Sequence, residues 1–179
     1  MNPKRKRGYV YYSIIAIGLA LVYFIQSSTP ALPTIFGVKP MPAFIFMLCI
    51  SAFGGETVGI ISGLALGIAT DIGSTSPDGF NALVMMIMGL ACSLLATYLF
   101  NDRLPAAAVL CGIFTAIYYI LNWVVIIAIK GFEGTWLYLA KYSLPAAIYT
   151  WIFVFLFWPL VKFFSKVGPK AKTNNSLLE

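Results

Sequence analysis

Long apolar runs, separated by short polar or glycine- and proline-rich stretches, dominate this chain. The clearest runs are Tyr9–Ile25, Phe80–Phe100, Pro105–Ile129 and Tyr142–Val161. A transmembrane helix needs about 20 predominantly apolar residues, so each run predicts a membrane-spanning helix. The first run follows a basic cluster, as the apolar part of a signal peptide would. Its length and the further apolar runs after it favour a retained first span.

The stretch from Leu32 to Ile72 departs from this pattern. Prolines interrupt its first part, and two shorter apolar pieces, Ala43–Phe53 and Thr57–Thr70, follow on either side of a Gly-Gly-Glu sequence. These pieces would be about 17 and about 21 Å long as helices, shorter than the ~30 Å hydrocarbon core. Short helices at membrane depth persist only where protein or a wet cavity surrounds them. We therefore expect a short helical hairpin at about 43–72, inside the bundle or covered by a partner.

The composition agrees with a membrane protein. Of 179 residues, 60% are hydrophobic and 10% are charged, whereas a soluble domain is about 25% charged. This excludes a water-soluble globule and predicts an all-α polytopic membrane protein with a six-helix bundle. The predicted organisation is a basic cytoplasmic N-terminus at 1–8, a transmembrane helical domain at 9–161, and a basic, disordered cytoplasmic tail at 162–179.

The positive charges lie mainly in the two tails. Eight of the twelve basic residues are there: Lys4, Arg5, Lys6, Arg7, Lys162, Lys166, Lys170 and Lys172. Cytoplasmic segments carry an excess of Lys and Arg, so the charges predict two cytoplasmic termini and an even number of spans. Six full spans and four spans plus a re-entrant hairpin satisfy them equally well. Anionic lipids are the expected partners of these tails, and nucleic acid is not expected.

The residue types exclude much of enzyme chemistry. The chain has no histidine, which removes the commonest general base and metal ligand. Cys49, Cys92 and Cys111 lie inside apolar runs without Cys-x-x-Cys spacing, as buried structural thiols do. An intramembrane enzyme would have to use Asp71 or Glu56 as its base. We expect no catalytic residues, no cofactor and no metal.

A stripe of small residues is the most specific pattern. Gly59, Gly63 and Gly67 repeat every four residues, and Asp71 continues the series, so all four share one helical face. Small residues at this spacing let another helix approach closely in lipid. Two interpretations remain open: the stripe seats a neighbouring helix of the same chain, or it also forms a groove for another protein's helix.

Asp71 and the surrounding turns carry a second prediction. A carboxylate near a helix C-terminus is disfavoured by the macrodipole, so Asp71 needs a partner outside its own helix. We expect it to cap the following loop or the start of the next helix near Asn81, rather than to relay protons. Gly55, Glu56 and Gly79 are expected in loops and turns.

Polar and aromatic residues also cluster in the fifth span. Tyr118, Tyr119, Asn122 and Trp123 lie close together in sequence, and an amide facing lipid would be costly. Interhelical packing is the preferred interpretation of this interior polar cluster. A cradle for a flat ligand is the alternative.

A series of residues occurs in order from the first span through the fourth: Gln26-Ser27, Pro33, Gly37, Pro40, Gly55-Glu56, Gly59, Gly63, Gly67, Asp71, Gly79 and Ala82-Leu83. This order resembles the bacterial rod shape-determining family MreD. The resemblance implies a multi-pass protein of the bacterial plasma membrane without enzymatic activity. It also implies a fold similar to the membrane-embedded S-components of energy-coupling-factor transporters.

The resemblance further implies a scaffold of the cell-elongation (rod) complex. Its expected partner is MreC, a single-span membrane protein, and through MreC the actin-like MreB, RodA and a penicillin-binding transpeptidase. Helix contacts would then help to organise peptidoglycan synthesis and cell shape. The alternative function is a vitamin- or small-solute-binding subunit of an energy-coupling-factor-type transporter, which the short hairpin and the Tyr118–Trp123 cluster favour.

Overall fold

Helices make up nearly all of the described part of the chain. The computed structural model describes residues 3–28, 39–73, 77, 79–99, 104–130 and 142–165. The helices are α1 (Pro3–Ser27), α2 (Pro42–Gly54), α3 (Glu56–Ile72), α4 (Phe80–Leu99), α5 (Leu104–Lys130), α6 (Leu144–Ile152) and α7 (Val154–Ser165). The all-α prediction is confirmed for these residues. Predictions for residues 1–2, 29–38, 74–76, 78, 100–103, 131–141 and 166–179 fall outside them.

Three helical segments are long and apolar enough to cross a membrane: Phe80–Thr97, Pro105–Val125 and Leu144–Phe164. They coincide with three of the runs identified in the sequence. The last combines α6 and α7, which are separated only by Phe153. Tyr12–Ser27 and Pro42–Gly54 are shorter apolar helices. The number of membrane crossings stays a prediction.

The second helix is the centre of the bundle. It has 13 residues, and every residue from Pro42 to Ser51 is buried. Pro42 occupies its first turn, where the missing N–H removes no hydrogen bond. Helices α1, α3, α4 and α7 pack around α2, so a helix of about 20 Å is surrounded by protein. The prediction of an interior helix is confirmed for α2.

The other half of the hairpin is only partly covered. α3 buries Gly59, Gly63 and Gly67 but exposes Ile61 and Ile68. Within the described structure, protein therefore covers only one side of α3, and the prediction that a partner covers the other side stays a prediction. The reason is that glycines make one face of α3 thin enough for a helix to approach, while the other face carries larger apolar side chains.

Aromatic side chains connect the central helix to the last span. The Phe46 ring lies 5.2 Å from that of Phe157, and the Phe53 ring lies 4.5 Å from that of Trp158, measured between centroids.

All three cysteines are free and buried in this core. No group of three or more metal-ligating side chains occurs among the described residues.

Candidate functional site

The glycine face of α3, formed by Gly59, Gly63 and Gly67, lies directly against α4. A Cβ built at Gly59 would be 2.5 Å from the carbonyl oxygen of Gly89. Cβ atoms at Gly63 and Gly67 would overlap the backbone of Met85 and of Ala82, respectively. All the obstructing atoms are backbone, so no side-chain movement could relieve these overlaps. Glycine at all three positions is therefore what allows the two helices to meet.

Gly89 makes the contact reciprocal. A Cβ built there would overlap the carbonyl oxygen of Gly59, so both backbones are bare where the helices approach. Such close approach gives van der Waals contact and helix association in lipid, where hydrophobic burial does not drive packing. This arrangement agrees with the interpretation that the stripe seats a neighbouring helix of the same chain. A groove for a partner helix is not available on this face, because α4 fills it.

Asp71, at the end of the same face, caps the N-terminus of α4. Its Oδ1 accepts hydrogen bonds from the Asn81 backbone N–H at 3.1 Å and from Asn81 Nδ2 at 2.9 Å. Its Oδ2 accepts one from the Ala82 backbone N–H at 2.9 Å. These are N–H groups of the first turn of α4, which have no partner within their own helix. The positive end of the α4 dipole also favours a carboxylate there.

The Asp71 cap is linked to the interior of the bundle. The Tyr118 hydroxyl of α5 donates to Asn81 Oδ1 at 3.0 Å. The Tyr118 ring stacks on Phe44 of α2, with ring centroids 4.7 Å apart. Asp71, Asn81, Tyr118 and Phe44 thus connect α3, α4, α5 and α2. Asn81 and Tyr118 are both buried, so their polar atoms are matched within the protein.

A second helix start is capped in the same way, by a residue that the sequence analysis did not assign. Gln26, at the end of α1, accepts a hydrogen bond from the Ala43 backbone N–H in the first turn of α2, at 3.0 Å through Oε1. The available signal was an amide at the end of an apolar run. At the starts of both α2 and α4, a side chain at the end of the preceding helix therefore accepts hydrogen bonds from first-turn N–H groups.

Thr150 of α6 was also missed. Its Oγ1 accepts from the Met41 backbone N–H at 3.1 Å and lies 3.1 Å from the Tyr119 hydroxyl. Thr150 is fully buried. A single threonine within an apolar span gives little sequence signal, because its hydroxyl often bonds to its own helix.

The predicted polar cluster of α5 is divided between these contacts. Tyr118 joins the Asp71 cap and Tyr119 joins Thr150, while Asn122 Nδ2 donates to the Tyr118 carbonyl at 3.2 Å. Trp123 is half-buried. Both the ring and the hydroxyl of Tyr118 have partners in the chain, which favours packing over a ligand cradle.

Ser93 Oγ and Trp158 Nε1 are the buried side-chain polar atoms without a partner among the described residues.

The three predicted turn residues lie at helix junctions. Gly55, with φ of 84°, is the single non-helical residue between α2 and α3, and Gly79, with φ of 82°, precedes α4. Positive φ favours glycine at both junctions. Glu56 is exposed at the first position of α3, where a carboxylate complements the helix dipole.

The opposite side of α3 borders an open apolar groove. The groove has a volume of about 760 Å³ and lies between α1 and α3. Its walls include the small side chains Ala16 and Ala20 of α1 and Ala65 and Ala69 of α3. The Tyr23 hydroxyl donates to the Ala69 carbonyl and joins the two helices near the end of the groove. We call this feature the α1–α3 groove.

The comparison with protein families decides the assignment. The family of the rod shape-determining protein MreD matches residues 6–167, which include most of α1 and all of α2 to α7. This chain belongs to the MreD family. Searches of curated proteins and of solved structures returned no match.

Membership of the MreD family carries a general function. It gives the protein a role in rod shape determination, as part of the MreBCD shape-determining system. The MreD family consists of structural membrane proteins and is not a known enzyme family. The apolar helices described above agree with a membrane location.

Proposed function

We propose that this protein is a non-enzymatic scaffold of the cell-elongation complex and that it docks MreC in the bacterial plasma membrane. Docked MreC would link it to MreB, RodA and a penicillin-binding transpeptidase, and so help to organise peptidoglycan synthesis. The observation that carries the proposal is the MreD family match over residues 6–167. Two cytoplasmic termini, a multi-pass topology and a fold like that of energy-coupling-factor S-components belong to the same proposal.

The interior supports a scaffold over a solute-binding subunit. The polar side chains at the starts of α2 and α4 bond to the backbone and to each other. A site for a polar solute would need such groups to be directed into a cavity. The α1–α3 groove is mostly apolar, and the Tyr23 hydroxyl on its wall already donates to a carbonyl.

The contact with MreC requires a surface other than the glycine face. Because α4 closes that face, a docking helix has to contact an outer side of the bundle. Exposed apolar side chains occur on several helices, among them Ile87 of α4, Ile113 of α5 and Ile148 of α6, which are 53%, 52% and 58% exposed. The experiment below identifies the face that MreC uses.

The test is photo-crosslinking during co-expression with MreC. A photoreactive amino acid replaces Ile87, Ile113 or Ile148 in separate full-length variants, and the fully buried Met85 serves as the control position. We expect MreC to co-purify in mild detergent and to crosslink from one outer face, but not from Met85. Absence of MreC from all preparations, at normal yields of both proteins, would contradict the proposal.

A further inference from the structure

The α1–α3 groove is the feature that the proposed function leaves unused. Along α1 its lining runs from Tyr12 to Phe24, and along α3 from Thr57 to Ala69, which is about 18 Å on each wall. The space is elongated and open on one side. We propose that it binds an acyl chain of an anionic phospholipid whose headgroup lies at the first turns of α1.

The lining of the groove requires an apolar occupant. It consists mainly of alanine, leucine, isoleucine and aromatic side chains. The Ser62 hydroxyl donates to the Gly59 carbonyl at 3.3 Å, and the Tyr23 hydroxyl donates to the Ala69 carbonyl. Both hydroxyls are thus used within the chain. The alanines leave a volume of about 760 Å³ in which the lining side chains have no contact partner. A long apolar chain in this volume would supply the missing van der Waals contacts.

Positive charge lies at one end of the groove. The helix α1 begins at Pro3, so Lys4, Arg5, Lys6 and Arg7 belong to its first turns. With 3.6 residues per turn, position 5 lies about two turns before Tyr12, on the side of α1 that carries the lining residues. Position 7 lies on the opposite side. Glu56 begins α3 at the same end, so this end of the two helices carries four basic residues and one acidic residue.

This charge favours a lipid over a helix as the occupant. A second copy of the chain, inserted in the same orientation, would bring another cluster of four cations to the same end. Transmembrane helices in general carry Lys and Arg at their cytoplasmic ends, so another helix would also meet repulsion there. An anionic headgroup is instead attracted, and basic sites between transmembrane helices bind such headgroups.

The test compares two lipids with matched acyl chains on the purified full-length protein. Phosphatidylglycerol is anionic and phosphatidylcholine is zwitterionic, and native mass spectrometry measures the retention of each. We expect phosphatidylglycerol to be retained at least about fivefold better, since each nearby cation adds about that factor. Arg5→Gln should reduce this preference about fivefold, and Arg7→Gln, with the same loss of charge on the opposite side, less than about twofold.

A second pair of variants tests the groove itself. Ala65→Leu fills the α3 wall, while Ala116→Leu adds the same bulk at an exposed position of α5 away from the groove. We expect Ala65→Leu to lower retention of both lipids and Ala116→Leu to leave it unchanged. Ala16→Leu, on the α1 wall, should repeat the effect of Ala65→Leu.

Four results would overturn the lipid proposal. They are equal retention of the two lipids, equal effects of Arg5→Gln and Arg7→Gln, equal effects of Ala65→Leu and Ala116→Leu, and loss of MreC or of a dimer from Ala65→Leu with lipid retention unchanged. The last result would assign the groove to a helix. None of the first three changes the expected recovery of MreC, so the scaffold proposal can fail or hold separately.

Discussion

The two sides of α3 show how one helix in a membrane protein can serve two purposes. On the glycine face the backbones of α3 and α4 are in contact, and no space remains for a side chain. On the groove side, alanines leave about 760 Å³ open between α3 and α1. The glycine positions of α3 thus lie in a closed interface, and its alanine positions border an open one. The spacing is the same for Gly63–Gly67 and Ala65–Ala69, so spacing alone does not show which pair lies in the closed interface and which borders the open groove.

The largest expected effect is from Gly63→Leu on the closed side. The new side chain would overlap the backbone of Met85, which cannot move without displacing α4. Overpacking of this kind costs about 3 kcal/mol or more of the free energy of unfolding. A large fall in melting temperature and in the yield of folded protein, measured in mild detergent, checks this. An unchanged melting temperature would show that α4 does not lie against Gly63.

A smaller effect is expected at the end of the same face from Asp71→Asn. The amide keeps the size of the side chain but replaces one acceptor oxygen with an NH₂ group, directed at N–H donors of α4. We expect a loss of about 1–3 kcal/mol, the usual cost of an unsatisfied buried polar group. Thermal unfolding measures it, with Glu56→Gln as the control at an exposed carboxylate. Equal melting temperatures for the two variants would contradict the capping role of Asp71.

The smallest effect is expected from Ala65→Leu on the open side. Ala65 is exposed and borders the groove, so the larger side chain has room. We expect the free energy of unfolding to change by about 0.5 kcal/mol or less, as for surface substitutions elsewhere. The same melting assay measures it. A loss as large as that from Gly63→Leu would mean that the groove is closed.

Much of the fold followed from the sequence because apolar run length directly sets the helices of a membrane protein. The pieces predicted at Ala43–Phe53 and Thr57–Thr70 became α2 and α3 with boundaries shifted by at most two residues. Asp71 was predicted to reach the helix start near Asn81, since a carboxylate at a helix C-terminus needs a partner elsewhere.

What the sequence could not supply was the partner of each face. The Gly59–Gly67 stripe indicates close approach, but whether a helix of the same chain or of another protein approaches depends on the tertiary arrangement. Gln26 and Thr150 were missed for a related reason. Their partners are the backbone N–H groups of Ala43 and Met41 at the start of α2, and every non-proline residue offers such a donor.

The most direct test of the closed glycine face is a set of four alanine substitutions measured in one detergent by thermal unfolding. Gly59→Ala, Gly63→Ala and Gly67→Ala each add a single methyl group against the α4 backbone, whereas a Cβ at Gly73 meets nothing within 4 Å. We expect the first three to lower the free energy of unfolding by about 1–3 kcal/mol each. Gly73→Ala should change it by about 0.5 kcal/mol or less. Four equal melting temperatures, or a rise at the three face positions from the higher helix propensity of alanine, would contradict the account.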